Sequence, residues 1–361
     1  MTIDPIIEAA FGPAPANVDL TESLVLTNDV VAIILLVVAA LAVFLRLLVR
    51  RLSRAGLGWD DWAIIVALIF NVGAVGMVAA TGAYGSGKHI WAVTSTELVM
   101  AAKILFFYTF VLGFCLSFNK LSILLLYRRI FDSQVDKNDV FFGISLWTAA
   151  VFTVTIPFVL IIVMVCACQP TSHYWNQFGG ASGTCTVETG TFFWTYGSIN
   201  AFMDFLILIT PIPSILRLQM SKKKRVAVCG MMLLGSFVFI VSIIRAVKMY
   251  KFAHSIDMTW LMGEICVWSS IEPSVGIVSA CLPNLRPIFG KLRGAVSSKS
   301  SRNTYIANNS MGSRGNWSQK PGSTVAKNHG SVYKREDEVQ LTNLADSSNE
   351  DVNQQSIREH C

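Results

Sequence analysis

Apolar residues run along this chain in long blocks rather than in alternation. Seven blocks, at residues 30–49, 62–80, 98–121, 141–166, 192–211, 226–247 and 260–282, approach or exceed the length of a bilayer crossing, about 20 residues for a helix. Backbone groups in hydrocarbon must be satisfied within their own segment, so each block predicts a helix. The pattern therefore predicts an all-α membrane protein with seven transmembrane helices.

Composition agrees with the pattern. Hydrophobic residues make up 53% of the 361 and charged residues only 14%, a balance a soluble domain of this size would struggle to keep in solution. Positive charge is unevenly placed: Arg46, Arg50, Arg51 and Arg54 follow the first block, Arg128, Arg129 and Lys137 the third, and Arg217, Lys222, Lys223, Lys224 and Arg225 the fifth. The alternate loops carry only Lys88, Lys248 and Lys251. By the positive-inside rule the N-terminus faces out and the C-terminus in. Residues before Arg46 include no lysine or arginine, so the first block reads as an uncleaved anchor rather than a signal peptide. The net charge of +6 belongs mostly to the inner loops, so the partner it implies is the lipid bilayer and not nucleic acid.

Three regions follow: an exoplasmic N-terminus at 1–29, a membrane domain at 30–287, and a cytoplasmic tail at 288–361. From Gly294 the tail is rich in Ser, Asn, Lys, Glu and Gln and cannot bury enough surface to fold alone, so disorder is expected. Ser297, Ser298, Ser300, Ser301 and Thr304 beside Lys299 and Arg302 form a candidate phosphorylation cluster, with a plain solvated tail as the simpler reading. Sequons at Asn308 and Asn316 fall on the inner side and should stay unmodified, and Cys361 has no prenylation box.

Of the eight cysteines, Cys115, Cys166, Cys229, Cys266 and Cys281 lie in or beside apolar blocks as small hydrophobes. Cys168 and Cys185 bracket the outer loop "CQPTSHYWNQFGGASGTC", where a disulfide could clip the loop into a lid, with Cys166 as the alternative partner.

Polar residues at membrane depth are the informative ones, since a charge at a helix centre costs about 2.5–3.5 kcal/mol on insertion scales. In the seventh block Glu264, Trp268, Glu272 and Gly276 recur every four residues along one helix face, and Pro273 should kink the helix near Glu272. The fifth block repeats the device with Tyr196, Asn200 and Asp204; the third supplies Thr109, Gly113, Ser117 and Lys120; the sixth supplies Ser242 and Arg245. By depth, Arg245 matches Glu264 and Asp204 matches Glu272, with Lys120 or Asn200 joining them. Two central carboxylates with no cation beside them would share a proton. These groups either hold helices together or line a ligand pocket or proton-sensitive switch.

At the opposite end, Asp60, Asp61 and Trp62 open the second helix, where acids complement the helix dipole and Arg50, Arg54 or Arg128 could pair with them. Asp60, Asp61, Arg128 and Arg129 are thus candidate cytoplasmic-face charges. "TGAYGSGKH" has turn glycines but not the spacing of a phosphate loop, and His89 reads as a loop residue. Zinc-ligand spacing is missing, and neither metal nor cofactor is expected.

Several motifs together resemble one family: "WDDW" and "YGSGKH" around the second helix, "NKLSILLLYRRIF" closing the third, and "CQP" followed by Trp175 and Cys185. Further on come "NAFMDFLILITPIPS", "KKKRVAVCGMMLLGSFVFIVSIIR", Asp257 with Trp260, and "WSSIEPSVGIVSACLPNLRP". From about residue 30 to 287 the chain is similar to the fungal rhodopsin-domain integral membrane proteins, related to the Pth11-like receptors. The resemblance implies a receptor-like seven-helix bundle from a filamentous fungus. Members are described as G-protein-coupled receptor-like, and others occur in secondary-metabolite gene clusters. Light sensing is not implied: retinal needs a Schiff-base lysine in the seventh helix, and residues 260–282 contain none. The cysteine-rich outer module of some Pth11-like receptors is missing, and "YRRIF" and "CLPNLRP" match neither the ionic lock nor the terminal tyrosine motif of the large animal receptor class.

The expected function is a membrane receptor or sensor for a small or lipophilic ligand, at the plasma membrane or an endomembrane. A heterotrimeric G protein or another cytoplasmic signalling protein would be its partner. The alternative is a membrane protein of a secondary-metabolite pathway, such as a polytopic cyclase using Asp204 or Glu272 as a general acid.

Overall fold

A computed structural model of the chain describes residues 3–15, 18–53, 56–131, 140–177, 182–212 and 222–308. Seven long helices run in order: α1 (Val25–Leu52), α2 (Trp59–Ala83), α3 (Ser95–Phe131), α4 (Val140–Cys166), α5 (Thr189–Ile209), α6 (Lys222–Ala253) and α7 (Met258–Asn308). Each contains a span long and apolar enough to cross a membrane. Most of the helices outrun their apolar blocks because polar residues at the ends cap and complement them. In α3 the helix continues to Phe131, so that Arg128 and Arg129 lie in its last turn, facing the negative end of the helix dipole.

Burial is unequal. In α7, 61% of the apolar window is buried, against 28% in α1, so α7 lies inside the bundle and α1 at its edge. Ile33, Val37, Leu41, Phe44 and Leu48 of α1 are all exposed at helical spacing, a face suited to lipid. The buried face of α1 contributes Ala39, Ala42, Val43 and Val49 to a cluster with Ile64 of α2 and Ile277, Ala280 and Cys281 of α7. A second cluster joins Ala74 and Val78 of α2, Tyr108, Leu112 and Leu116 of α3, and Met262 and Cys266 of α7. Neighbours in sequence also pack as pairs: α1 with α2, α2 with α3, α3 with α4, and α5 with α6.

The end of the bundle where α2 finishes and α3 starts is capped. The N-terminal segment forms a short helix, Pro5–Phe11, whose Ile7 is buried against Ile90, Trp91, Val93 and Leu98. Trp91 Nε1 donates to the Gly12 carbonyl at 2.9 Å. Beside it, β1 (Cys168–Gln169) pairs antiparallel with β2 (Thr184–Cys185), and the Cys168–Cys185 disulfide closes the loop, leaving Cys166 free. The turn after α2 needs positive φ at Gly85 and Gly87, and Gly263 of α7 is packed directly against the Gly87 backbone.

Helix α7 continues to Asn308, past the end of its apolar block. Residues 309–361 lie outside the described residues, as do Arg54, Lys137 and Arg217.

Candidate functional site

Four helices bring their charges together halfway along the bundle. Lys120 of α3 stands 3.1 Å from Asp204 Oδ1 of α5, and its ammonium also donates to Asn200 Oδ1 at 2.7 Å and to the Asn200 carbonyl at 3.1 Å. Asn200 Nδ2 bridges the two carboxylates, donating to Glu272 Oε1 at 2.6 Å and to Asp204 Oδ2 at 3.3 Å. Ser242 of α6 donates to Asp204 Oδ2 at 2.7 Å. Arg245, one turn further along α6, places Nε 2.9 Å from Glu272 Oε2. All six side chains are buried, Arg245 and Glu272 almost totally, so two cations and two carboxylates balance within one network.

Helical spacing explains why these side chains meet. Asn200 and Asp204 are four apart on α5, and Ser242 and Arg245 three apart on α6, so each pair shares a face. Around the quartet lie more buried amides: Asn119 Nδ2 donates to the Pro273 carbonyl at 3.4 Å, and Asn71 Nδ2 to Ser274 Oγ at 3.2 Å.

The network separates two voids. Towards the ends formed by Tyr127 and Met231, one of about 570 Å³ is bordered by Lys120, Asp204, Glu272, Asn119 and Gly276. Towards the disulfide end, a void is bordered by Arg245, Tyr108, Ser269 and a mainly apolar wall that includes Leu112, Phe193 and Met249.

A second charged cluster closes the end opposite the disulfide. Arg46 donates from Nε to Asp61 Oδ1 at 2.8 Å, from Nη2 to Asp60 Oδ2 at 2.5 Å and from Nη1 to the Ala280 carbonyl at 2.6 Å. Arg50 pairs with both aspartates, and Arg129 reaches Asp60 Oδ1 at 3.2 Å. Ser122 Oγ donates to the Asp60 carbonyl at 2.9 Å, tying α3 to the start of α2.

Against known families, the profile of the fungal rhodopsin domain matches residues 45–291, well over half of the chain and all of the charged network. The chain belongs to the fungal rhodopsin domain family. The chain is 27% identical over 279 residues to a polyenoic acids biosynthesis gene cluster protein of Metarhizium anisopliae, covering 72% of this chain and 73% of that one. It is 27% identical over 176 residues to a satratoxin biosynthesis cluster protein of Stachybotrys chartarum, covering 49% of this chain and 61% of that one. A SAT4 family membrane protein of Emericella nidulans is 26% identical over 251 residues, covering 68% of this chain and 59% of that one. No solved structure matches.

Within this fungal rhodopsin domain the polar residues singled out at depth meet, but not in the pairs that depth suggested. Arg245 pairs with Glu272, not Glu264; Glu264 pairs instead with Lys248 at 2.5 Å in a half-buried bridge near the capped end. Asp204 takes Lys120, and among the described residues Asn200 links it to Glu272, so each central carboxylate has its own cation. Trp268 is half-buried on α7. At the other end Arg46 and Arg129 join Arg50 on the aspartates, whereas Arg128 lies over the Trp147 ring at 5.6 Å. His89 is more than a loop residue: its Nδ1 is 2.6 Å from Asp257 Oδ2 and its ring stacks on Trp260 at 4.3 Å. Sequence reading passed over Asn71, Asn119, Tyr108 and Ser269. The two asparagines were detectable on the same ground as Asn200, a side-chain amide in an apolar block.

Proposed function

We propose that this protein is a seven-helix membrane receptor or sensor for a small or lipophilic ligand that does not bind retinal. The observation that carries the reading is the Lys120–Asp204–Asn200–Glu272–Arg245 network: it couples α3, α5, α6 and α7 at a depth where each charge is costly and borders a void on the disulfide side. A ligand that contacts Arg245 changes its hold on Glu272, and through Asn200 the hold of Lys120 on Asp204, so one contact biases four helices.

The disulfide end faces the exterior in this reading, in keeping with a bond that persists in oxidising compartments. The end carrying Arg46, Arg50, Arg129 and the tail faces the cytoplasm, where a heterotrimeric G protein or another signalling protein would dock. The plasma membrane is the expected location.

The test is ligand retention. Full-length protein in lipid nanodiscs is incubated with the apolar extract of a fungal culture, and bound compounds are identified by mass spectrometry. Compounds held by the wild type should be lost by Met262→Trp, which fills the disulfide-side void. If both proteins retain the same set, the void is not a ligand site.

The names of the relatives favour a second reading, a membrane step in secondary metabolism. Here Glu272 or Asp204 would act as the proton donor of a cyclase. Co-expression with a pathway's precursors should then give a product that Glu272→Gln abolishes; an unchanged product profile would remove this reading.

A further inference from the structure

The guanidinium of Arg245 is incompletely used. It has no exposed surface, and its one ion pair among the described residues joins Nε to Glu272 Oε2. Nη1 and Nη2 have no hydrogen-bond acceptor among the described residues, and the neighbouring Tyr108 hydroxyl faces Ser269 Oγ. Leaving such groups dry and unpaired costs about 1–3 kcal/mol each, more for a charged one, so buried donors are rarely left so without reason. All three side chains border the same void, whose other walls include Leu105, Leu112, Phe193, Met249 and Met262. A few polar groups converging in an apolar chamber fix a ligand's orientation.

We propose that this chamber binds an uncharged, mainly apolar molecule through a carbonyl oxygen that accepts hydrogen bonds from Arg245 Nη1 and Nη2, with the Tyr108 and Ser269 hydroxyls completing the polar patch. The inference deepens, and rests on, the ligand-binding reading above. Charge accounting selects the class. Lys120 and Arg245 are already matched by Asp204 and Glu272, so a bound carboxylate would leave one uncompensated negative charge in the bundle. A carbonyl takes the same two donors without adding charge.

The route inwards points the same way. A vestibule of about 900 Å³ at the disulfide end shares Leu105, Phe252 and Met262 with the chamber wall, and its outer lining includes Tyr174 from the disulfide-closed loop. Glu188 lies on its rim, where a carboxylate disfavours the entry of an anion but not of a neutral molecule.

The test uses full-length protein in nanodiscs of uncharged lipid and tritiated γ-dodecalactone as the probe, with dodecane and sodium dodecanoate as competitors of equal carbon number. Saturable lactone binding is expected, with dodecane and dodecanoate each competing about tenfold or more weakly, the difference one charge-assisted hydrogen bond makes. Arg245→Lys, which loses the fork, should weaken lactone binding by a similar factor. Leu105→Trp should block the chamber while leaving the Arg245–Glu272 pair untouched, so the outcome does not depend on one variant folding. Absence of saturable lactone binding, equal competition by dodecane, or full affinity in folded Leu105→Trp overturns the proposal. Stronger competition by dodecanoate overturns the uncharged class and leaves the receptor reading standing. That reading is decided by its own test, the retention of fungal compounds.

Discussion

Arg46 is buried on every side, and its three nitrogens reach three acceptors on two helices, Asp60, Asp61 and the Ala280 carbonyl. Arg46→Met leaves both aspartates to Arg50 and Arg129 and takes from the Ala280 carbonyl its second donor, beyond the helix's own. Breaking a buried pair by removing one partner costs about 3–5 kcal/mol, so the unfolding midpoint in detergent should fall steeply, while Arg128→Ala, at an exposed position, should change stability by less than about 0.5 kcal/mol. At this scale the existence of a buried charge is legible in the sequence and its partner is not. Any cation or carboxylate inside an apolar block stands out against its insertion cost. Choosing between Glu264 and Glu272 for Arg245 requires the register of α6 against α7, and Arg245 and Lys248 are separated by only about 4.5 Å along the helix. That register is set by side-chain packing between helices, which the pattern of a single block does not contain.

Along α7 the decisive residue is Gly276, where the helix packs against Asn119 of α3. A Cβ there would overlap the Asn119 amide and displace the donor that now reaches the Pro273 carbonyl. Gly276→Ala should therefore lose about 1–3 kcal/mol despite a better helix former in place, as overpacked cores do. Gly230→Ala on α6, where the nearest atom is 4.0 Å away, should be neutral or gain up to about 1 kcal/mol. Paired thermal melts in detergent check the contrast, and equal shifts would mean that Asn119 yields. The seven long helices were readable from block length alone because lipid forces the backbone to satisfy itself locally. The helix Pro5–Phe11 was not: "PIIEAAF" is too short to stand alone, and it forms where Ile7 finds Ile90 and Trp91.

Across the whole molecule, that N-terminal segment works as part of the cap. Asp4 accepts from the Ser95 amide at 2.8 Å and the Ile6 amide at 3.0 Å, and these donors hold its carboxyl below the usual range. A depressed carboxyl contributes fully above its unfolded value and is lost as pH falls through its folded one. Protection against hydrogen exchange at the Glu8 amide and the Trp91 indole should thus hold from pH 7 to 5 and fall only below about pH 4, whereas Asp4→Asn should lower it already at pH 7. The two ends of the bundle also differ in when they can be completed during synthesis. Arg46 meets Asp60 and Asp61 as soon as α1 and α2 form a hairpin, but the Ala280 carbonyl is 234 residues further on, roughly 10–50 s of translation later. Throughout that interval the hairpin waits in the bilayer with its charges matched and one guanidinium nitrogen unfilled. The last helix to emerge supplies the missing acceptor, so Arg46 is the point at which a growing chain registers that its bundle is whole.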